Sequence, residues 1–219
     1  MSDGSADGPR LLVRDLAQLV TAPAAARAPV RGPALRELEL VENAYVLCEG
    51  GTVAAAGSMR ELDVSGLDGE VEELDGSGLC GIPGLVDCHT HPAFLGDRVE
   101  EFALRAGGAT YEELHAAGGG ILSTVRATRE GGEEKLVSAV RRHAEWMLRA
   151  GTTTFEGKSG YGLDRDTEVA SLAAVAAANG VPTWLGAHAV PPEFGDADAY
   201  LDFALAEVLP RPASPQAVR

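Results

Sequence analysis

Residues 81–98 read Gly81-Ile82-Pro83-Gly84-Leu85-Val86-Asp87-Cys88-His89-Thr90-His91-Pro92-Ala93-Phe94-Leu95-Gly96-Asp97-Arg98. Leu85–His91 starts apolar and ends on histidines, the pattern of a buried strand whose C-terminal end carries chemistry. Side chains two apart on a strand share a face, so His89 and His91 point one way and Thr90 the other. Neutral imidazoles so placed suit zinc or ferrous iron. A His-x-His pair alone is a weak signal, and this one gains weight from its setting: barrel enzymes carry their catalytic groups at the ends of βα-unit strands.

Working downstream, Thr110 and Glu113 form a T-x-x-E capping box opening a short helix, YEELHAA, stopped by Gly118, Gly119 and Gly120. EEKLVSAVRRHAEWMLRAG places Leu136, Val137, Val140, Ala144, Met147 and Leu148 on one helical face and stops at Gly151. TTTFEGKSGYG then reads as strand and loop, TEVASLAAVAAANG as helix, PTWLGAHAV as strand and DAYLDFALAEVLP as helix. Strands alternating with helices predict parallel βα units.

Upstream, residues 36–82 carry short apolar runs broken by turn residues, with Gly50-Gly51 as a hairpin turn, and predict a small β-rich domain. Residues 1–35 combine a polar start with the run TAPAAARAPVRGPA and predict a partly disordered tail or linker, with a possible short strand at LLVRDLAQLV. The resulting plan is a tail over 1–35, the β-rich domain over 36–82, an α/β domain over 83–208 and an atypical tail over 209–219.

The 219 residues include 18 basic and 33 acidic side chains, a net charge of −15, which excludes a nucleic-acid-binding surface as the default. Hydrophobic residues make up 45% and charged residues 23%, enough to build a core. No apolar run approaches the roughly 18 residues of a membrane span. The opening MSDGSADGPR is acidic where a signal peptide is basic and then apolar, so a cytoplasmic setting is expected. Cys48, Cys80 and Cys88 form no CxxC pair and support neither a disulfide framework nor a zinc finger. A closed α/β barrel takes about 250 residues, so the chain is too short for one plus an accessory domain.

GIPGLVDCHTHPAFLGDR resembles the metal-binding opening of the amidohydrolase superfamily. FLGDRVEEFALR, TYEELHAAGGGILSTVRATRE, KSGYGLD and LGAHAVPPEF, spread over about 82–200, sharpen the resemblance to the imidazolonepropionase family. It implies the N-terminal part of a (β/α)8 TIM-type barrel preceded by a small β-sandwich. The implied activity is hydrolytic ring opening of 4-imidazolone-5-propanoate to N-formimidoyl-L-glutamate in histidine degradation. One divalent metal ion, zinc or iron, is implied, with His89 and His91 as two of its ligands and a later histidine and aspartate completing the set. Arg98 matches the arginine that binds the substrate carboxylate, Tyr161 a substrate-contacting tyrosine, and His188 the catalytic histidine that contacts and polarises the substrate carbonyl. A homodimer is implied for the full-length family.

Each assignment has a plainer counterpart. Arg98 could pair at the surface with Asp97 or Glu101, Tyr161 could anchor its loop, and His188 could be a satisfied core residue. Lys158 is assigned a structural or electrostatic role because the family resembled uses a single metal. Tyr111 and Glu112 are read as mainly structural, His115 and His143 as non-catalytic, and Cys88 as facing away from the histidine pair. The chain also departs from the family pattern. No histidine follows His188, and Asp196, Asp198 and Asp202 sit where helix-capping carboxylates belong. Gly157 replaces a bulkier residue, the segment between KSGYGLD and LGAHA is short, and RPASPQAVR resembles a readthrough tail. Little hydrolase activity is therefore expected of this chain alone. The competing readings are another amidohydrolase or aminohydrolase acting on a cyclic or formimino substrate, and a non-catalytic fragment.

Overall fold

The computed structural model describes residues 8–21, 30–65, 69–110, 113 and 119–210, in two units that divide between Pro83 and Gly84. The first unit contains β1 (Arg10–Thr21), β2 (Glu39–Glu49), β3 (Thr52–Ser58), β4 (Val71–Asp75) and β5 (Cys80–Gly81). They form one five-stranded mixed sheet in the order β3-β2-β1-β4, with β5 also pairing β1. Strands β1, β2 and β3 pair antiparallel, whereas β4 and β5 run parallel to β1. Gly50 and Gly51 both take positive φ (55° and 81°), as a tight turn between right-twisted strands requires, and so close the β2–β3 hairpin.

Two expectations change here. LLVRDLAQLV lies within the stretch read as tail, yet β1 is the strand against which β2, β4 and β5 all pair. Leu12, Leu16 and Leu19 supply its buried side chains, packed with Ala44, Tyr45 and Leu47. The Ala/Pro-rich run that follows hides this strand by depressing the composition around it. Among the described residues this unit is a single sheet, with no second layer to make a sandwich.

In the second unit β6 (Leu85–Thr90), β7 (Thr152–Lys158) and β8 (Val181–Thr183) form a parallel sheet in the order β6-β7-β8. The helices are α1 (Val99–Ala106), α2 (Ile121–Gly131), α3 (Glu133–Arg149), α4 (Arg165–Ala177) and α5 (Ala197–Phe203), the last continuing into a π-helical turn over Ala204–Val208. Strand–helix alternation with parallel pairing is what the sequence predicts for this half. Leu136 and Val140 of α3 pack with Phe155 of β7 and with Ala174 and Val175 of α4, while Val137, Ala144 and Met147 flank them. Leu148 instead turns outward and is exposed. A second cluster joins Val125, Leu163, Tyr200 and Ala204.

Strand β6 is not buried as the apolar run Leu85-Val86 suggests. It pairs with β7 alone and forms the edge of the described sheet, leaving Leu85 52% and Val86 69% exposed. Strand β8 is only three residues long, so His188 sits in a turn beyond it rather than on a strand. The capping box is present: the Thr110 N–H donates to Glu113 Oε2 (2.8 Å) and the Glu113 N–H to Thr110 Oγ1 (3.2 Å). Tyr111, Glu112 and His115 lie outside the described residues, as does the tail from 211 onward. No helix of the described residues is long and apolar enough to cross a membrane.

Candidate active site

The exit of β6 sets the site. Thr90 turns toward β7, its Oγ1 donating to the Glu156 carbonyl at 2.6 Å and its N–H reaching Glu156 Oε2 at 3.4 Å. Alternation along the strand then places His89 and His91 on the other side, with ring centroids 5.5 Å apart. Beyond the strand, His143 of α3 holds the Pro92 carbonyl through Nδ1 at 2.8 Å and stacks on Phe94 at 4.9 Å. His143 therefore fixes the path of the chain just after His91, the non-catalytic part read for it.

Two loops complete the cluster. His188 lies 5.2 Å from His91 and 5.1 Å from Tyr161, and Tyr161 lies 5.9 Å from His91, all between ring centroids. Three separate segments thus bring four rings together. His188 Nδ1 is 3.0 Å from the Gly160 carbonyl oxygen. A carbonyl only accepts, so Nδ1 carries the proton and Nε2 is the ring nitrogen left for a ligand. His91 Nδ1 is buried with no hydrogen-bond partner. Burial first, and the neighbouring His188 and His89 next, push the His91 pKa down, favouring the neutral ring.

Lys158, at the end of β7, donates to Glu156 Oε1 at 2.6 Å, both side chains being largely buried. Burial drives the Glu156 carboxyl up, but hydrogen bonds from Lys158, Thr183 and the Thr90 N–H outweigh it and hold the group below the usual range. The pair is an electrostatic fixture beside the histidines.

Arg98 precedes α1, half-exposed, with Nε 3.6 Å from Glu101 Oε2, the surface pairing that competes with a ligand role. It also lines a concavity of about 370 Å³ with Phe94, Gly96, Asp97, Thr124 and Tyr161. The structure therefore places Arg98 and Tyr161 on one hollow, and Tyr161 is shared between that hollow and the histidine cluster.

Two residues that hold the site carry no signal that distinguishes them in the sequence. Glu168, fully buried in the first turn of α4, accepts from the N–H groups of Gly160, Gly162 and Leu163. Arg129 of α2 donates from Nε to the Gly162 carbonyl at 2.6 Å and pairs with Asp164 and Glu193. Acids in a first helical turn are common and usually solvated, so nothing in TEVASL marks this one as buried.

Comparison with known proteins fits this geometry to a class. No family model matches the chain. The triazine hydrolase from Arthobacter aurescens superposes with a TM-score of 0.55 at 16% identity, over 90% of this chain and 42% of that one. Guanine deaminase from E. coli superposes with a TM-score of 0.50 at 16% identity, over 84% and 38% of the two chains. The mixed α/β fold is shared with these two enzymes. Curated relatives narrow this further. The chain is 52% identical over 213 residues to the imidazolonepropionase of Rubrobacter xylanophilus, covering 94% of this chain and 51% of that protein. It is 47% identical over 209 residues to that of Chloroflexus aggregans (91% and 48%) and 45% identical over 200 residues to that of Solibacter usitatus (88% and 47%). Over 88–94% of its residues the chain is similar to these imidazolonepropionases, and it spans about half the length of the curated relatives it matches.

Proposed function

We propose that this chain supplies the first part of the (β/α)8 barrel of an imidazolonepropionase. The overall reaction would add water across the ring amide of 4-imidazolone-5-propanoate: the water oxygen goes to the carbonyl carbon, the C–N bond breaks, and the freed nitrogen takes up a proton and becomes the terminal nitrogen of the formimidoyl group of N-formimidoyl-L-glutamate. The observation that carries the reading is the convergence of His89, His91, Tyr161 and His188 from three segments, with His91 Nδ1 buried and unpartnered.

His91, neutral and with a free buried nitrogen, and His89 beside it fit a divalent metal as two imidazole ligands, zinc and iron being equally acceptable to such donors. Among the described residues no group of three or more histidine, cysteine, aspartate or glutamate side chains is placed to complete a cage. A bound divalent ion supplies a strong nucleophile at neutral pH, lowering the pKa of water from about 15.7 to roughly 7. His188, with Nδ1 tied to Gly160, offers Nε2 to the substrate carbonyl region. The Tyr161 ring walls the ring-binding side. Arg98, across the same hollow, supplies the cation that a propanoate requires on a chain of net charge −15. Lys158, held by Glu156, takes an electrostatic role. A homodimer and a cytoplasmic setting complete the reading.

The test combines zinc titration by calorimetry with a turnover assay on the purified chain. Zinc binding that His91→Ala weakens by at least about 10-fold is expected, a ligand loss costing no less than the 10–100-fold of a lost outer-shell partner. Turnover of 4-imidazolone-5-propanoate by the chain alone is expected to be slight and to fall further in Arg98→Gln. Zinc affinity indifferent to both His89→Ala and His91→Ala would overturn the metal assignment. Preference for a substrate without a carboxylate tail would favour the other amidohydrolases.

A further inference from the structure

The carboxylate of Glu168 has no part in the chemistry proposed above, although its side chain is among the most deeply buried charged groups described. Its partners are backbone N–H groups of the loop that carries Tyr161. Oε1 accepts from Gly160 (3.1 Å), Gly162 (2.8 Å) and Leu163 (2.9 Å), and Oε2 accepts from Gly160 as well (3.1 Å). A first-turn acid would ordinarily serve its own helix. Here that duty belongs to Asp164, whose Oδ1 accepts the Thr167 N–H at 2.8 Å and whose Oδ2 accepts the Thr167 hydroxyl at 2.9 Å. Glu168 is thereby left to reach back across the loop.

The loop needs such a partner. Gly160 (φ +103°) and Leu163 (φ +54°) both take left-handed backbone, and Leu163 does so with a buried side chain. A non-glycine residue in that region is strained and persists only where its surroundings hold it. The two N–H groups that Glu168 grips at Gly160 and Gly162 belong to the peptide planes on either side of the Gly160–Tyr161 peptide. That central peptide presents the carbonyl that His188 Nδ1 engages and opens the residue bearing the Tyr161 ring. Fixing the flanking planes fixes the one between them.

We infer that Glu168 is a positioning residue, setting the place of Tyr161 and the ring orientation of His188 through the backbone of residues 160–163. Its importance for turnover rests on the proposed function of that side of the site, but the placement itself is testable without substrate. Glu168→Gln keeps the size and one acceptor oxygen while turning an NH2 toward the Gly160 N–H, so its damage should be graded along the loop.

The experiment is amide exchange and histidine side-chain NMR on the full chain, labelled with 15N. In the wild type the N–H groups of Gly160, Gly162 and Leu163 are expected to exchange at least about 100-fold slower than in a free peptide of the same sequence, despite lying in a loop. In Glu168→Gln the Gly160 amide is expected to exchange at least about 10-fold faster than in the wild type, Gly162 and Leu163 less so, and α3 amides unchanged. The His188 Nδ1–H signal, assigned with a His188→Asn variant, should be lost in Glu168→Gln. A role confined to helix stability would lower the melting temperature and leave that signal in place, which would overturn the inference. Loop-like exchange at Gly160, Gly162 and Leu163 in the wild type would overturn it too, and needs no folded variant. Because no arm uses substrate, a chain without turnover counts against the proposed function and leaves this inference standing.

Discussion

His188 Nδ1 lies 3.0 Å from the Gly160 carbonyl oxygen, and a β-carbon added at Gly160 would fall 2.9 Å from that same nitrogen. The close approach that makes the hydrogen bond is thus open only to glycine. Gly160→Ala would also meet the Leu185 carbonyl at 2.8 Å and would strain a backbone at φ +103°. A loss of about 1–3 kcal/mol in urea unfolding is expected. Stability equal to the wild type would show that this loop is not packed as described.

Gly157, between Glu156 and Lys158 on β7, poses a packing question. A β-carbon there would stand 2.7 and 2.9 Å from the two Val175 methyl groups and 3.1 Å from Pro92 Cγ. Gly157→Ala should therefore overpack the sheet–α4 contact and cost about 1–3 kcal/mol. Combined with Val175→Ala, a coupling energy of about 0.5–3 kcal/mol in the compensating direction is expected from a double-mutant cycle. Strict additivity would refute the collision.

The α3 face offers a control with both outcomes on one helix. Leu136 is 1% exposed against Phe155 and Val175, so Leu136→Ala is expected to cost about 2–5 kcal/mol. Leu148 is 60% exposed, so Leu148→Ala should stay within about 0.5 kcal/mol of the wild type. Thermal unfolding of the two variants checks the orientation of the helix.

Tyr200 gives a pH signature away from the histidines. Its hydroxyl donates to the Gly186 carbonyl at 2.6 Å, and burial first, then the charge of Glu168, raise its pKa to about 12. The ordinary phenol lies near 10, so the folded state holds the proton longer than the unfolded chain does. The stability this confers is complete below about pH 10 and is lost as pH rises from there through about 12. Absorbance titration should show one tyrosine ionising last, absent in Tyr200→Phe. All tyrosines titrating together near 10 would contradict the burial.

Much of this architecture is legible in the sequence because it is written in local patterns. The β2–β3 turn follows from Gly50-Gly51, the face of α3 from its helical spacing, and the pairing of His89 with His91 from strand alternation. What the sequence conceals is decided at a distance. β1 sits beside a composition that argues against structure, and its partners lie dozens of residues away. The exposure of β6 depends on which strands pair beside it, which no local pattern reports. Tyr161 and His188 are individually plain residues, and only the loops that carry them bring their rings within 5.1 Å of each other. Arg98 makes the loose pair with Glu101 that the sequence allows, and it also lines the hollow that holds Tyr161.

The Glu168 carboxylate and the Gly160 N–H it holds are eight residues apart in the chain. Contacts of such short span close small loops and form early, whereas those joining distant strands must wait for the chain to collapse. The Tyr161 loop and its anchor therefore make up a folding cassette of consecutive residues, able to organise before the β6 histidines, 66 residues upstream of β7 by the Thr90–Glu156 bond, find their sheet. Assembly of the cluster would then run from loop to strand: the Tyr161 wall is set first, and the imidazole pair is delivered to it.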